Sequence, residues 1–476
     1  MPRAAKRILI IVGGAAGLLV LAASAVLLFG DINRYKPRLE AAASAALGMG
    51  FRADGRLSLG FFPGLRVTAA DCRILTEQDV VVASAKRVGL WIDPLPLFRG
   101  DFRLRRIELT QPRFMIERDS GGGGRVESLK WAAGLLAALD GGSLSLSNGA
   151  LHCADGSSGA GLEATGLDLD VSRIRLAGGS GPGFWKGLSI KADLACREVR
   201  TKSLAVSALK LSVDGKDAVF EARPVTMRIF GGRLAGSLRA DVSGPTPLYQ
   251  VHCSLPRLRI EEFLRTLSPE KAANGPMDFS ASLAMQGGTF REVVRTAAGE
   301  MSLRGTNLIL EGNDLDRELS RFESSQSFNL MDVGAVFFAG PLGLVVTRGY
   351  GFAGLFRGSG GRTEIRVLVS DWKVERGVAQ AKDVALATAR NRIALQGGLD
   401  FVDGRFADVT VAVVDAAGCA RARQVIRGSF ARPVVEKPRV LRSLAGPALR
   451  LYRQTRRLFP TGPCEAFYSG SVAAPR

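Results

Sequence analysis

Histidine is nearly absent from this chain of 476 residues: only His152 and His252 occur. Each is followed directly by a cysteine, and neighbours on a strand point to opposite faces, so neither His-Cys pair can grip one metal ion. No CxxC, HExxH, Walker or GxSxG motif is present, and no two acids are spaced for catalysis. Asp214-Gly215 and Asp403-Gly404 read as turns. These absences leave no catalytic, cofactor-binding or metal-ligating candidate, and the chain is not expected to be an enzyme. Aromatics are scarce at 7%, against 57 glycines, which predicts an aliphatic interior and many turns. Long uncharged runs are scarcer still, for there is one.

That run, residues 8–29, holds 22 residues without a charge. At about 1.5 Å per residue it reaches about 33 Å, enough to cross a hydrocarbon core of roughly 30 Å. Arg3, Lys6, Arg7 and the small-residue triplet Ala23-Ser24-Ala25 also suit a cleaved signal peptide. The apolar run continues through Phe29, however, and cleavage would leave a greasy new terminus, so residues 1–30 are read as a single membrane anchor. Arg34, Lys36 and Arg38 balance the preceding basic residues, so flanking charge does not orient it. Long domains translocate largely regardless of charge, and six cysteines suit an oxidising compartment, which places the rest of the chain outside the cytoplasm. Behind an anchor, the net charge of +19 points to anionic lipid headgroups rather than nucleic acid.

After a short helix expected over residues 35–47, capped by Asn33, the apolar period changes from 3.6 to 2. Leu65, Val67 and Ala69 keep one face, as do Val88, Leu90 and Ile92. The middle of the chain is the most regular: Leu188, Ile190, Ala192 and Leu194; Leu204, Val206 and Ala208, slipping by one to Leu209, Leu211 and Val213. Val225, Met227 and Ile229 enter Phe230-Gly231-Gly232-Arg233, and Leu234, Gly236, Leu238, Ala240 and Val242 leave it, a hairpin pattern. Hairpins recur without βαβ spacing, so the fold class is mostly β and largely antiparallel. Short helices are expected at 128–139, 260–267, 290–298 and 314–322. One strand per 16 or so residues gives roughly 25 strands, above the ~10 at which open sheets curl or split. Two stacked sheets and one long sheet curled into a trough both satisfy the pattern, and periodicity does not separate them. The segments are 31–120, a β module with one helix; 121–285, a hairpin region; and 286–476, a β region with a basic tail.

The cysteines are Cys72, Cys153, Cys196, Cys253, Cys419 and Cys464. Cys419 and Cys464 fall in one C-terminal module, and bridging them would close a loop worth about 4 kcal/mol on the chain-entropy estimate. The other four fit buried thiols and bridges equally well. Residues 420–476 hold twelve Arg and Lys against Glu436 and Glu465. Within 439–459, Leu441, Leu444, Ala448, Tyr452, Thr455 and Phe459 share a helical face, with Arg442, Arg450, Arg453, Arg456 and Arg457 mostly off it. Such a helix suits an anionic membrane surface or a lid over an open end of the β region.

Asp31-Ile32-Asn33-Arg34-Tyr35-Lys36-Pro37, Ala46-Leu47-Gly48, Asp54-Gly55-Arg56-Leu57-Ser58-Leu59 and Phe62-Pro63-Gly64-Leu65 follow the anchor in order. With Leu97-Phe98-Arg99-Gly100, Gln111-Pro112-Arg113 and Phe230-Gly231-Gly232-Arg233, this start resembles the AsmA family of bacterial envelope proteins. The end is similar to AsmA-like C-terminal regions through Asp383-Val384-Ala385, Gly418-Cys419, and Cys464 with Phe467-Tyr468-Ser469-Gly470-Ser471. The resemblance implies a bacterial inner-membrane protein, single-pass, with a periplasmic β-groove related to bridge-like lipid-transfer proteins. Carrying a two-chain lipid through water exposes roughly 30 methylenes at about 0.8 kcal/mol each, a cost that an apolar lining removes. The expected lining is Ile190, Leu194, Leu204, Val206, Val225, Met227, Ile229, Leu234, Leu238 and Val242. The expected role is phospholipid transport or outer-membrane and envelope assembly, with phospholipid and other envelope proteins as partners. The alternative is a non-enzymatic scaffold that engages outer-membrane proteins through strand edges or the basic tail.

Overall fold

A computed structural model of the chain describes residues 32–47, 49–60, 64–76, 78–93, 104–118, 139, 141–155, 161–177, 184–202, 204–266, 273–311, 314–317, 319, 361–430, 432–436, 439–440 and 464–475. The expected spanning run 8–29, the helix at 128–138 and Arg442, Arg450, Arg453, Arg456 and Arg457 lie outside them. No helix among the described residues is long and apolar enough to cross a membrane. The chain divides into two compact units, Met1–Lys202 with Asp214–Asp217, and Ser203–Val213 with Ala218–Arg476.

In the first unit a 3-10 turn, Ile32–Tyr35, leads into helix α1 (Lys36–Leu47), then β1 (Gly50–Ala53), β2 (Leu57–Gly60), β3 (Leu65–Leu75), β4 (Val81–Ile92), β5 (Leu104–Arg118), β6 (Ser143–Asp155), β7 (Gly161–Leu176), a single helical turn α2 (Phe184–Gly187) and β8 (Leu188–Thr201). β1 and β2 both pair with β3, and each later strand pairs with the one before it. All pairs are antiparallel except β5 with β6. Helix α1 and the 3-10 turn before it cap the β1–β2 edge through side chains. The Phe51 N–H donates to Ser44 Oγ at 2.8 Å, Ala53 N–H to Glu40 Oε1 at 2.8 Å and Leu57 N–H to Asn33 Oδ1 at 3.0 Å. Those amides point away from β3, so the helix satisfies an edge that is otherwise open to pairing. Asn33, expected as a helix cap, lies inside the 3-10 turn and serves this edge, because the α-helix begins only at Lys36.

A line of left-handed backbone crosses this unit: Asp71 (φ 50°), Gln111 (φ 50°), Asn148 (φ 51°) and Gly166 (φ 63°) sit at matching positions on β3, β5, β6 and β7. At Asn148 the displaced N–H is accepted by Asp168 Oδ1 at 2.8 Å. Such kinks bend strands and increase their local twist. On one face the rung Leu57, Ala69, Val88, Leu109, Leu146, Leu169 and Leu194 runs across the unit in register.

The second unit contains most of β9 (Ala205–Lys216), then β10 (Val219–Ile229), β11 (Gly232–Asp241), β12 (Leu248–Arg259), helix α3 (Ile260–Leu264), β13 (Ala273–Asn274), β14 (Pro276–Gln286), helix α4 (Phe290–Thr296), β15 (Ala298–Glu311), β16 (Arg362–Glu375), β17 (Val378–Ala387), β18 (Arg392–Asp400), β19 (Arg405–Val414), β20 (Ala420–Ser429), β21 (Arg432–Val435) and β22 (Arg439–Val440). From β10 to β20 these strands form one antiparallel ladder, β12 pairing with β14 and the two-residue β13 with β15. Within this unit β10 to β20 therefore form one long sheet rather than two stacked ones. Arg439, expected to open a basic helix, is extended in β22 and pairs with Arg423, the ladder on β20 overriding its helical pattern. Asp214-Gly215 lies within β9, and the turn into β10 is made by Asp217 (φ 51°) and Ala218 (φ 63°), the two positive angles of a type I′ hairpin.

Candidate functional site

The ladder of the second unit has one apolar and one polar face, set by the two-residue period. On the apolar face Cys253, Ala281, Met301, Trp372 and Ala381 stand in one cross-strand rung, and Leu255, Phe279 and Leu303 in the next. From β14 to β20 this face is a packed core: Met301, Leu368, Trp372, Leu386, Ile393, Val411 and Ile426 are buried in one cluster. Ile260, Phe263 and Leu264 of α3, with Leu315 and Leu319, belong to the same cluster and cover it.

Towards β10 the cover thins. Ile229, Leu234 and Cys253 are only partly buried at the border of the core. Beyond them Val225, Met227 and Val251 are half-buried, and Leu238 is 41% exposed. Register joins these residues: Met227 stands opposite Leu234, Val225 opposite Gly236, and Leu238 opposite both Ala222 and Val251. The result is a strip of apolar surface spread over three strands and continuous with a core. The neighbours on the other face, Arg228 and Arg239, are exposed.

Of the ten expected lining residues, the structure therefore brings Val225, Met227, Ile229, Leu234 and Leu238 onto one face. Leu204, Val206 and Val242 are half-buried on or beside neighbouring strands of the same unit. In β9 the alternation slips by one at Ala208, whose φ of 51° marks the bulge. Ile190 and Leu194 lie in the first unit on β8, half-buried beside exposed Lys191, with Leu194 ending the rung described above. The expected set omits Val251 and Tyr249 of β12, although their two-residue spacing with Cys253 was the available signal.

The polar face of β16–β19 carries a strap, residues 464–475. Cys464 is joined by a disulfide to Cys419, with Cα atoms 6.1 Å apart. Asp383 accepts from Tyr468 Oη (2.6 Å), Ser471 N (2.9 Å) and Ser471 Oγ (2.6 Å). The buried Arg392 guanidinium donates to the Val472 carbonyl at 2.9 Å and to that of Asp415. Ala385, Ala387, Ala394 and Ala412 present a floor of small side chains on which Tyr468 and Val472 pack. Burial pushes the Asp383 carboxyl up, but the three donated hydrogen bonds and nearby Arg304 outweigh it and hold the group below its ordinary range. Burial and the same carboxylate push the Tyr468 hydroxyl up.

Cys72, Cys153, Cys196 and Cys253 are free thiols. Burial, reinforced by Asp71, Asp54 and Glu40, pushes Cys72 up to about 12. His252 Nδ1 lies 2.9 Å from Ser282 Oγ on the exposed polar face. Glu300 stands opposite Ser282 rather than against the imidazole, and the other cross-strand neighbour of His252 is Ser237, so among the described residues no carboxylate–imidazole–hydroxyl relay is formed. Among the described residues no three His, Cys, Asp or Glu side chains are grouped to hold a metal.

No curated protein sequence is significantly similar to the chain. The AsmA family model matches residues 1–130 and 163–338, which include the uncharged run 8–29, both ends of the first unit and the β10–β12 strip of the second. On that match the chain belongs to the AsmA family.

Proposed function

We propose that the apolar strip on β10–β12 seats acyl chains of phospholipid. On this reading the chain is anchored by residues 8–29 in the bacterial inner membrane with its β units in the periplasm, and serves phospholipid transport or envelope assembly without performing chemistry. The observation that carries the proposal is the burial gradient along one sheet face. The same apolar period that yields a closed core from β14 to β20 yields half-exposed Val225, Met227 and Val251 and an exposed Leu238 at the other end. Contiguous apolar surface left uncovered on a soluble domain marks a binding surface. Lipid methylenes laid along it leave water at about 0.8 kcal/mol each. Family membership supports an envelope setting.

The test compares bound lipid per full-length chain, purified in a mild detergent, between the natural protein and Val225→Lys/Leu238→Lys. Lipid held by the anchor is common to both, so the difference reports the strip. Both positions are outside the packed core, so melting should be unchanged while lipid per chain falls. Equal lipid in the two proteins at equal melting temperature would overturn the proposal and favour the scaffold.

A further inference from the structure

Helix α1 fixes the end of the first unit at which the chain enters. Its side chains and those of the turn before it meet the β1–β2 edge in reverse order: Asn33 holds Leu57, the Lys36 ammonium donates to the Gly55 carbonyl at 3.2 Å, Glu40 holds Ala53 and Ser44 holds Phe51. The chain therefore arrives from the side of Leu57 and Gly60, which pair with Ala69 and Arg66 of β3. The uncharged run 8–29 stops four residues before Asn33, a span of at most about 14 Å. Gly60 is three residues from Leu57, about 10 Å along the strand, whereas Leu75 is six residues from Ala69, about 20 Å the other way. Of the two strand ends, the one at Gly60 and Arg66 is within reach of the run.

That end is basic. Register places the start of β5 and β6, the end of β7 and the start of β8 beside it. Arg66 and Arg106 are engaged there over the Trp91 ring, 4.3 and 5.6 Å from its centroid, and Arg66 also pairs with Glu108. Arg105 near the tip of β5 and Arg173 and Arg175 near that of β7 are exposed and form no ion pair among the described residues, where Asp93 is the neighbouring acid. The turn α2 precedes Leu188, which pairs with Leu176, and so adds exposed Lys186 and Trp185, the latter 50% exposed, to the same end. Lys191, three residues further along β8, is already about 10 Å from that tip. The opposite end differs: Arg52 pairs with Asp79, Arg73 with Asp54 and Arg200 with Glu198, and its large exposed apolar residue is the aliphatic Val80.

We infer that the strand tips at this end of the first unit are seated on an anionic phospholipid surface, with Trp185 in the headgroup layer and Arg105 and Arg175 on lipid phosphates. The inference rests on the membrane anchor proposed above and is independent of where acyl chains lie on the second unit. A spanning run joined by so short a segment holds this end at the bilayer, where guanidiniums without carboxylate partners gain charge-assisted hydrogen bonds to phosphate. An indole is favoured at the same depth, because its ring leaves water while its N–H stays hydrated. The strands of the first unit then rise from the bilayer instead of lying along it.

The experiment reconstitutes the full chain into vesicles of phosphatidylcholine alone or of equimolar phosphatidylcholine and phosphatidylglycerol. A photo-crosslinking residue replaces either Trp185 or Val80, which is equally exposed at the opposite end. Flotation of the vesicles in alkaline carbonate reports the anchor separately. The expected result is phospholipid captured from the Trp185 position and little from the Val80 position, with several-fold more capture when phosphatidylglycerol is present. Arg105→Gln/Arg175→Gln, at an unchanged melting temperature, should remove the phosphatidylglycerol advantage. In a chain that floats with the vesicles in carbonate, equal capture at the two positions, or none at the Trp185 position, would overturn the seating and leave the anchor standing. A phosphatidylglycerol advantage that survives in the double variant would overturn the role given to the two arginines. Release of the chain by carbonate would remove the anchor, and the seating with it.

Discussion

Cys72 shows how one residue's surroundings decide its chemistry. Its thiol is buried at 3% exposure on β3, beneath an edge where Asp54, Asp71 and Glu40 concentrate negative charge. Both influences disfavour the thiolate, so the group is pushed up to about 12, above the ordinary thiol value of about 8.5. Cys72 should therefore be the last of the four free thiols to react with iodoacetamide in the folded chain at pH 8, and should become reactive on unfolding. Labelling of Cys72 at the rate of a free peptide thiol would show that the edge beneath α1 is open. Asn33 and Glu40 sit in the same environment. Their side-chain oxygens accept amides from β2 and β1, a role that helix-capping patterns do not reveal because the partners are 24 and 13 residues away.

Among the elements, the C-terminal strap makes the most specific demands. Closing the 45-residue separation between Cys419 and Cys464 restricts the unfolded chain by about 4 kcal/mol on loop-entropy grounds. The three hydrogen bonds on Asp383 then hold the strap against the alanine floor. Because the Asp383 carboxyl is lowered in the folded chain, its contribution is fully present above the ordinary carboxylate value of about 3.9 and is lost as pH falls through the lowered one. Hydrogen exchange at the Ser471 and Val472 amides should therefore accelerate below that window. Asp383→Asn should accelerate it at neutral pH by an amount corresponding to about 1.5–3 kcal/mol, the usual worth of a hydrogen bond to a charged group. Protection unchanged in the variant would mean that the disulfide and packing alone secure the strap. Strand periodicity was legible throughout: the slip at Ala208 and the Phe230-Gly231 hairpin both follow from alternation and glycine placement. The short helices at 260–264 and 290–296 were legible too, the latter opened by a Thr289–Glu292 capping box. The type I′ turn at Asp217-Ala218 was not, because a neighbouring Asp-Gly pair carries the stronger turn signal.

For the molecule as a whole, alternation identifies an apolar face but not what covers it. Trp372 and Leu386 follow the same period-two rule as Met227 and Leu238, yet the former are sealed in a core and the latter are not. Coverage depends on α3, Leu315 and Leu319, which are distant in sequence from most of the strands they protect, so core and candidate lining read alike until the chain is folded. That β10 to β20 pair in a single ladder likewise emerges only once register is known. The uncovered part of this face is where acyl chains are proposed to lie. In-cell photo-crosslinking from Ile229 and Leu238, against Arg239 on the polar face of β11 and Lys191 on that of β8, tests this placement most directly. Phospholipid capture is expected at Ile229 and Leu238 and little at Arg239 or Lys191; equal capture on both faces, or none at the apolar positions of a folded chain, would contradict acyl-chain binding.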